Sequence, residues 1–175
     1  MNIHMSNYGQ SVKVRLFNLA KRENIRYQQL VTRYFQERLL FRLSLSEYRA
    51  HFVLKGGALL YAYERFAARP TLDIDFMGNR IDNNQENIKA AFCSICDISY
   101  EADGVHFHAD TLTADAITVE KEYPGIRVSL IATLDSIRQS ISMDIGFGDI
   151  VIPKKANEEY IVFGKPTVFN GRINI

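Results

Sequence analysis

Over the first fifty positions apolar residues recur at three- and four-residue steps, and beyond them the pattern shifts toward alternation. Val14, Phe17, Leu19 and Ala20 predict the inner side of a helix running to about Glu23, with Ser6 or Ser11 as its cap. Asn24 is placed to cap a second helix, from Ile25 to about Leu43. Tyr27, Leu30, Val31, Tyr34, Phe35 and Leu39 make its apolar stripe, which leaves Arg26, Arg33, Arg38 and Arg42 on the side expected to be exposed. A short helical turn is expected at Ser46–Ala50.

Phe52-Val53-Leu54 then reads as a short buried strand that ends at Gly56-Gly57. Ala58–Phe66 returns to helical spacing, and Pro70 ends it. Thr71–Met77 predicts a strand in which Asp73 and Asp75 sit among Leu72, Ile74 and Phe76. A helix follows at about Gln85–Cys96, and then strands at His106–Asp110, Ala116–Glu122, Ile126–Leu134 and Ser140–Phe147. The stretch Pro153–Ile175 has β character and no helical period. Helices first and strands mostly later imply an α+β fold, a mixed β-sheet flanked by helices. On this reading residues 1–50 are a helical segment packed on a core at 51–175, within a single domain.

Composition narrows the picture. A chain of 175 residues buries one sizeable core, and 47% hydrophobic with 23% charged residues is the balance of a globular protein, not a disordered one. No apolar run approaches bilayer length, and the N-terminus has no signal-like apolar stretch, so no membrane partner is expected and the expected address is the cytoplasm. The net charge of +1 hides an asymmetry. Residues 1–50 hold nine Lys/Arg against three Asp/Glu, a net of +6, and residues 51–175 hold twelve against seventeen, a net of −5. That split suits an anionic partner at the helices and a cation at the core, or else two ordinary solvated surfaces. Cys93 and Cys96 form one C-x-x-C on the apolar stripe of a helix; without a second ligand pair they read as two small buried thiols.

The chemistry concentrates in two places. Asp73 and Asp75, two apart on a strand, leave the same face. Neighbouring carboxylates raise each other's proton affinity unless a cation stands between them, and magnesium takes hard oxygen ligands of this kind. An edge strand with both acids in water is the alternative. Gly56-Gly57, after a strand and before a helix, offers bare backbone N–H groups to a phosphate, or is simply a turn. Asp144, in Ser142-Met143-Asp144-Ile145-Gly146, completes a three-carboxylate cluster if its strand pairs beside Thr71–Met77. Such a cluster can hold two metal ions. Local satisfaction at a strand end is the alternative for Asp144, and Asp149 reads as a turn residue.

The run KGGALLYAYERFAARPTLDIDF resembles the signature of the AbiEii/AbiGii-type nucleotidyltransferase toxins, and YPGIRVSLIATLDSIRQSISMDIGFGD resembles the second half of that family's core. Together they cover roughly residues 50–155. The resemblance implies a polymerase-β-like nucleotidyltransferase fold and transfer of a nucleoside monophosphate from an NTP with magnesium, one ion or two. It further implies a toxin role in a toxin–antitoxin or abortive-infection system, a cognate antitoxin as partner and an RNA acceptor, tRNA in some relatives. By position, Gly56 and Gly57 would hold phosphate, Asp73 and Asp75 would be metal ligands, and Asp144 would be the third acid and the base for the acceptor hydroxyl. Lys55 and Arg69 match family positions; Arg69 would steady phosphates or brace the loop, and Lys55 would reach the phosphates or point to solvent, while Arg127 reads as structural or as an acceptor contact. The likeness departs at the C-terminus. Relatives continue into a helical region that supplies a further Lys and acids, and Phe169–Ile175 has no such character.

Other candidates are weaker. His106, His108 and Asp110 alternate on a strand as a metal face or as packed, solvated side chains. No Gly-Lys-Ser/Thr loop is present, which disfavours a P-loop enzyme. The expected function is a magnesium-dependent nucleotidyltransferase whose acceptor RNA approaches the basic helices. The alternatives are a non-catalytic binding module of the same fold and a nucleotidyltransferase that modifies a protein.

Overall fold

The computed structural model describes residues 7–57, 71–117 and 125–148, together with the backbone of four short strands between 154 and 173. The expected helix Ala58–Phe66, Arg69, Asp149 and the far end of Ala116–Glu122 lie outside the described residues. Three α-helices and a five-stranded mixed sheet make up the described body.

Helix α1 spans Tyr8–Arg22 and is capped by Asn7, whose side chain accepts from Gln10 N–H at 3.0 Å. Its inner face is Val12, Leu16, Leu19 and Ala20, a one-sided stripe, whereas Val14 and Phe17 point outward. The expected cap and half of the expected inner face are thus corrected. Asn24 does not start the next helix. It adopts a left-handed φ of 53° and closes α1, with Ile25 N–H donating to Ala20 C=O and Asn24 N–H to Lys21 C=O.

Helix α2, Tyr27–Leu45, departs furthest from expectation. Every residue from Leu30 to Glu37 is buried, and a run of that length covers all sides of a helix. Arg33 and Arg42 are 6% and 2% exposed, and the Arg38 side chain is only 13% exposed, so the anticipated basic face does not exist; only Arg26 lies in solvent. Arg42 directs all five of its N–H bonds inward, to Asp103 Oδ1 and Oδ2 and to the carbonyls of Arg38, Ile98 and Val105. Asp103 also accepts from Val105 N–H and from the Tyr34 hydroxyl. This buried network ties α2 to the segment that feeds the sheet.

A 3-10 turn at Glu47–Ala50, capped by Ser46, leads into β1, Phe52–Lys55. Strand β2 is Asp73–Gly78, and α3, Gln85–Cys96, falls where the sequence placed it, capped by Asn84. Strand β3 runs unbroken from Val105 to Ile117. It was expected as two strands because an irregularity in the pairing between His108 and Thr113 shifts the alternation. There Thr111 Oγ1 donates to His108 C=O and accepts from Ile131 N–H, taking the place of a ladder bond. β4, Gly125–Leu134, and β5, Ile137–Gly146, form a hairpin about Asp135-Ser136.

The sheet order is β1-β2-β5-β4-β3, with β2 and β5 parallel and the other pairs antiparallel. Alternation divides most of it, the exceptions being Val53 and Met77, which are buried on the face opposite the main core. Phe52, Leu54, Ile74, Phe76, Val128, Leu130, Ile141, Met143 and Ile145 share a core with Leu16, Phe35, Leu39 and Phe92 of the helices. The other face carries Asp73, Asp75, Arg127, Ser129, Ser142 and Asp144, half-buried or exposed. None of the described helices is long and apolar enough to cross a membrane.

Candidate active site

Register across the sheet builds the site. Lys55 on β1 pairs with Asp75 on β2, Asp75 with Asp144 on β5, Asp144 with Arg127 on β4, and Arg127 with Asp115 on β3. Directly paired residues project to one side of a sheet, so these five charged side chains form a single row on the polar face. Asp73 lies on the same face, two residues before Asp75 and paired with Ser142, whose hydroxyl is 3.1 Å from that of Ser129. The structure therefore brings Asp73, Asp75 and Asp144 together, beside Lys55.

Gly56 joins this row. It turns out of β1 at a left-handed φ of 65°, and a Cβ built on it would overlap Asp75 Oδ2. Glycine is required here both for the backbone angle and for the carboxylate lying against it. Gly57 packs on Thr71, whose Cβ a side chain at 57 would meet at 3.0 Å. The Gly-Gly turn and the D-x-D strand are thus in direct contact. Thr71 Oγ1 donates to Asp73 C=O, and Gln36 of α2 donates to the carbonyls of Thr71 and Leu72 at 3.2 and 3.1 Å.

Electrostatics at the row are unbalanced. Burial raises the proton affinity of Asp75 above the ordinary carboxylate range, and Asp144 and Asp73 raise it further; Lys55 and Arg127 offset this only in part. Arg127 grips Asp144 from both sides, Nε to Oδ1 and Nη2 to Oδ2, each at 2.7 Å. The same Nη2 is 3.8 Å from Asp73 Oδ2. The hydrogen bonds and charge of Asp144 hold the Arg127 guanidinium protonated even more firmly than usual.

Among the described residues, no three Asp, Glu, His or Cys side chains converge closely enough to ligate one ion as they stand. In kind and in placement Asp73, Asp75 and Asp144 still suit a hard divalent cation, being three carboxylates on one sheet face at adjacent register positions. Asp144 is held by the Arg127 guanidinium, which also faces Asp73.

Two residues escaped sequence reasoning. The grip of Arg127 depends on pairing across sixteen intervening positions, which no local spacing reveals, although its outward place in the β4 alternation was readable. Gln36 was detectable as a polar residue among the buried positions of α2. His106 and His108 pack edge to face with ring centroids 4.5 Å apart, and His108 Nε2 lies 3.0 Å from Thr133 Oγ1, so they act as a packed pair on the polar face. Cys93 and Cys96 are free thiols, the second buried.

A family model described as "Nucleotidyl transferase AbiEii toxin, Type IV TA system" matches residues 38–165. No curated protein matches the chain. Two solved structures are similar. One, a candidate nucleotidyltransferase from H. pylori, is 17% identical over 86% of this chain and 55% of its own, with a TM-score of 0.44. The other, JHP933 from Helicobacter pylori, is 18% identical over 85% of this chain and 52% of its own, with a TM-score of 0.46. The chain spans about half the length of these structures.

Proposed function

The chain belongs to the AbiEii nucleotidyltransferase toxin family of type IV toxin–antitoxin systems, and from that premise we propose that it transfers a nucleoside monophosphate from an NTP to an RNA acceptor. The observation that carries this reading is the placement of Asp73, Asp75 and Asp144 on one sheet face against the Gly56 turn. Asp73 and Asp75, with Asp144, would hold magnesium, which when bound offsets the charge of the triphosphate and of the leaving pyrophosphate.

The chain's own residues do the rest. Backbone N–H groups at Gly56 and Gly57 approach the triphosphate where no side chain intervenes. Lys55, and Arg69 beyond the described residues, would add positive charge around the phosphates. Asp144 takes the proton of the acceptor hydroxyl; the freed oxygen attacks the α-phosphorus, and the bond to pyrophosphate breaks. Gln36 and Thr71 fix the start of β2, so that both carboxylates of the D-x-D keep one orientation.

The acceptor's route differs from the one charge counting suggested. Helices α1 and α2 pack on the apolar face of the sheet, and the acids are on the other. The acceptor therefore approaches the polar face, where Arg127 is exposed and Asp73, Asp75 and Asp144 are half-buried. An antitoxin partner follows from the family's type IV assignment, and an RNA such as tRNA is the acceptor we favour.

The test is incubation of the full chain with each labelled NTP, magnesium and total RNA. Label on RNA, lost in Asp73→Ala, supports the reading. A second reading draws on Arg127, whose hold on Asp144 suits a module that binds nucleotide without transferring it. Metal-dependent nucleotide binding with no transfer from any of the four would select it, and label on protein instead of RNA would select a protein acceptor.

A further inference from the structure

We propose that Arg127 is a resident counter-cation, so that a divalent ion reaches Asp144 by exchange with the guanidinium and not by simple addition. The inference rests on the reading of Asp73, Asp75 and Asp144 as metal ligands, and it adds a control element to that site. Two short N–H···O bonds occupy both oxygens of Asp144, at the strong end for charge-assisted pairs. The Nη2 that makes one of them also lies 3.8 Å from Asp73. One side-chain cation thus spans two of the three acids.

The same residue is free to leave. Its side chain is 49% exposed and belongs to no part of the core. Its register partner on the far side, Asp115 on β3, is an exposed carboxylate on the same face and gives the released guanidinium a second anchor. Arg127 therefore has an anion on either flank, Asp144 toward the site and Asp115 away from it. Arg42, by contrast, is buried with every donor enclosed. Entry of a bare metal ion at Asp144 is weak for as long as the guanidinium holds both of its oxygens.

The experiment is titration calorimetry with MnCl2 on the chelator-treated, nucleotide-free full chain, comparing wild type with Arg127→Met and Arg127→Gln. Loss of a charge-assisted pair at Asp144 should tighten Mn2+ binding on the order of tenfold. That gain should vanish when Asp144→Asn is added to Arg127→Met. Affinity in both Arg127 variants equal to or weaker than wild type, with melting curves showing folded protein, overturns the exchange while leaving the metal site standing. Absence of Mn2+ uptake in wild type and variants alike overturns the metal reading itself, and the exchange with it.

Discussion

Asp75 and Asp144 stand side by side on parallel strands, directly paired and alike in charge. A fold selected for stability alone would not place them so. Burial and both neighbouring acids make the ionised Asp75 unfavourable, and the sign of the consequence follows from linkage. A carboxylate whose pKa is higher folded than unfolded binds its proton better in the native state. Stability is then undiminished below the unfolded value of about 3.8 and is lost as pH rises through the folded pKa. In metal-free buffer Asp75→Asn should therefore be more stable than wild type at neutral pH and equal to it in acid. The group is partly solvated, so screening keeps the gain under about 1 kcal/mol. Urea melts of both proteins with a chelator at several pH values measure it; a variant less stable than wild type at neutral pH contradicts the argument.

The two glycines should separate in mutagenesis. Gly56→Ala forces a side chain into a left-handed backbone and against Asp75 Oδ2, so it should lower stability by about 1–2 kcal/mol and displace a proposed ligand. Gly57→Ala brings a Cβ to 3.0 Å from Thr71 Cβ without a left-handed backbone, so a shift of a few tenths of an ångström relieves it. We expect nucleotide transfer to be abolished in the first and merely reduced in the second, read by labelled-NTP incorporation alongside thermal melts. Equal loss in both would show that the turn, and not its contact with Asp75, is what matters.

Thiol chemistry tests the packing of α3. Burial pushes the Cys96 thiol up to about 12, so at pH 8 it carries almost no thiolate, whereas Cys93 is only half-buried. Iodoacetamide on native protein should add one label, at Cys93, with the second appearing only in denaturant. Intact-mass spectrometry counts the labels. Rapid double labelling of folded protein would mean that α3 is not seated as described.

What was legible in the sequence follows from what each signal depends on. Strict alternation in Ile126–Leu134 is a property of one strand, and it marked β4. The like orientation of Asp73 and Asp75 needs only their spacing. Asp144 needed a pairing partner, which the sequence could state only as a condition; the β2–β5 register met it. Helix α2 misled because a helix buried on every side still shows an apolar stripe, and arginines between the stripe positions look like a solvated face. The burial of Arg42 is decided by a neighbour far along the chain, Asp103.

Arg42 and Asp103 provide the sharpest test of that helix. Both side chains are 2% exposed, with Nη1 2.8 Å from Oδ2, and every guanidinium donor is used. Desolvating two charges is expensive, so the pair as a whole adds little net stability over a well-packed apolar substitute. Removing one partner is a different matter, because it leaves the other charge buried and alone. Arg42→Met should therefore destabilise by about 3–5 kcal/mol, and Asp103→Leu by a similar amount. The double variant should recover a large part of either loss, since no uncompensated charge then remains inside. Denaturant unfolding of the four proteins closes the cycle. Losses that simply add would mean that the two side chains act independently, and that α2 is held in the core by its apolar contacts without the network that joins it to β3.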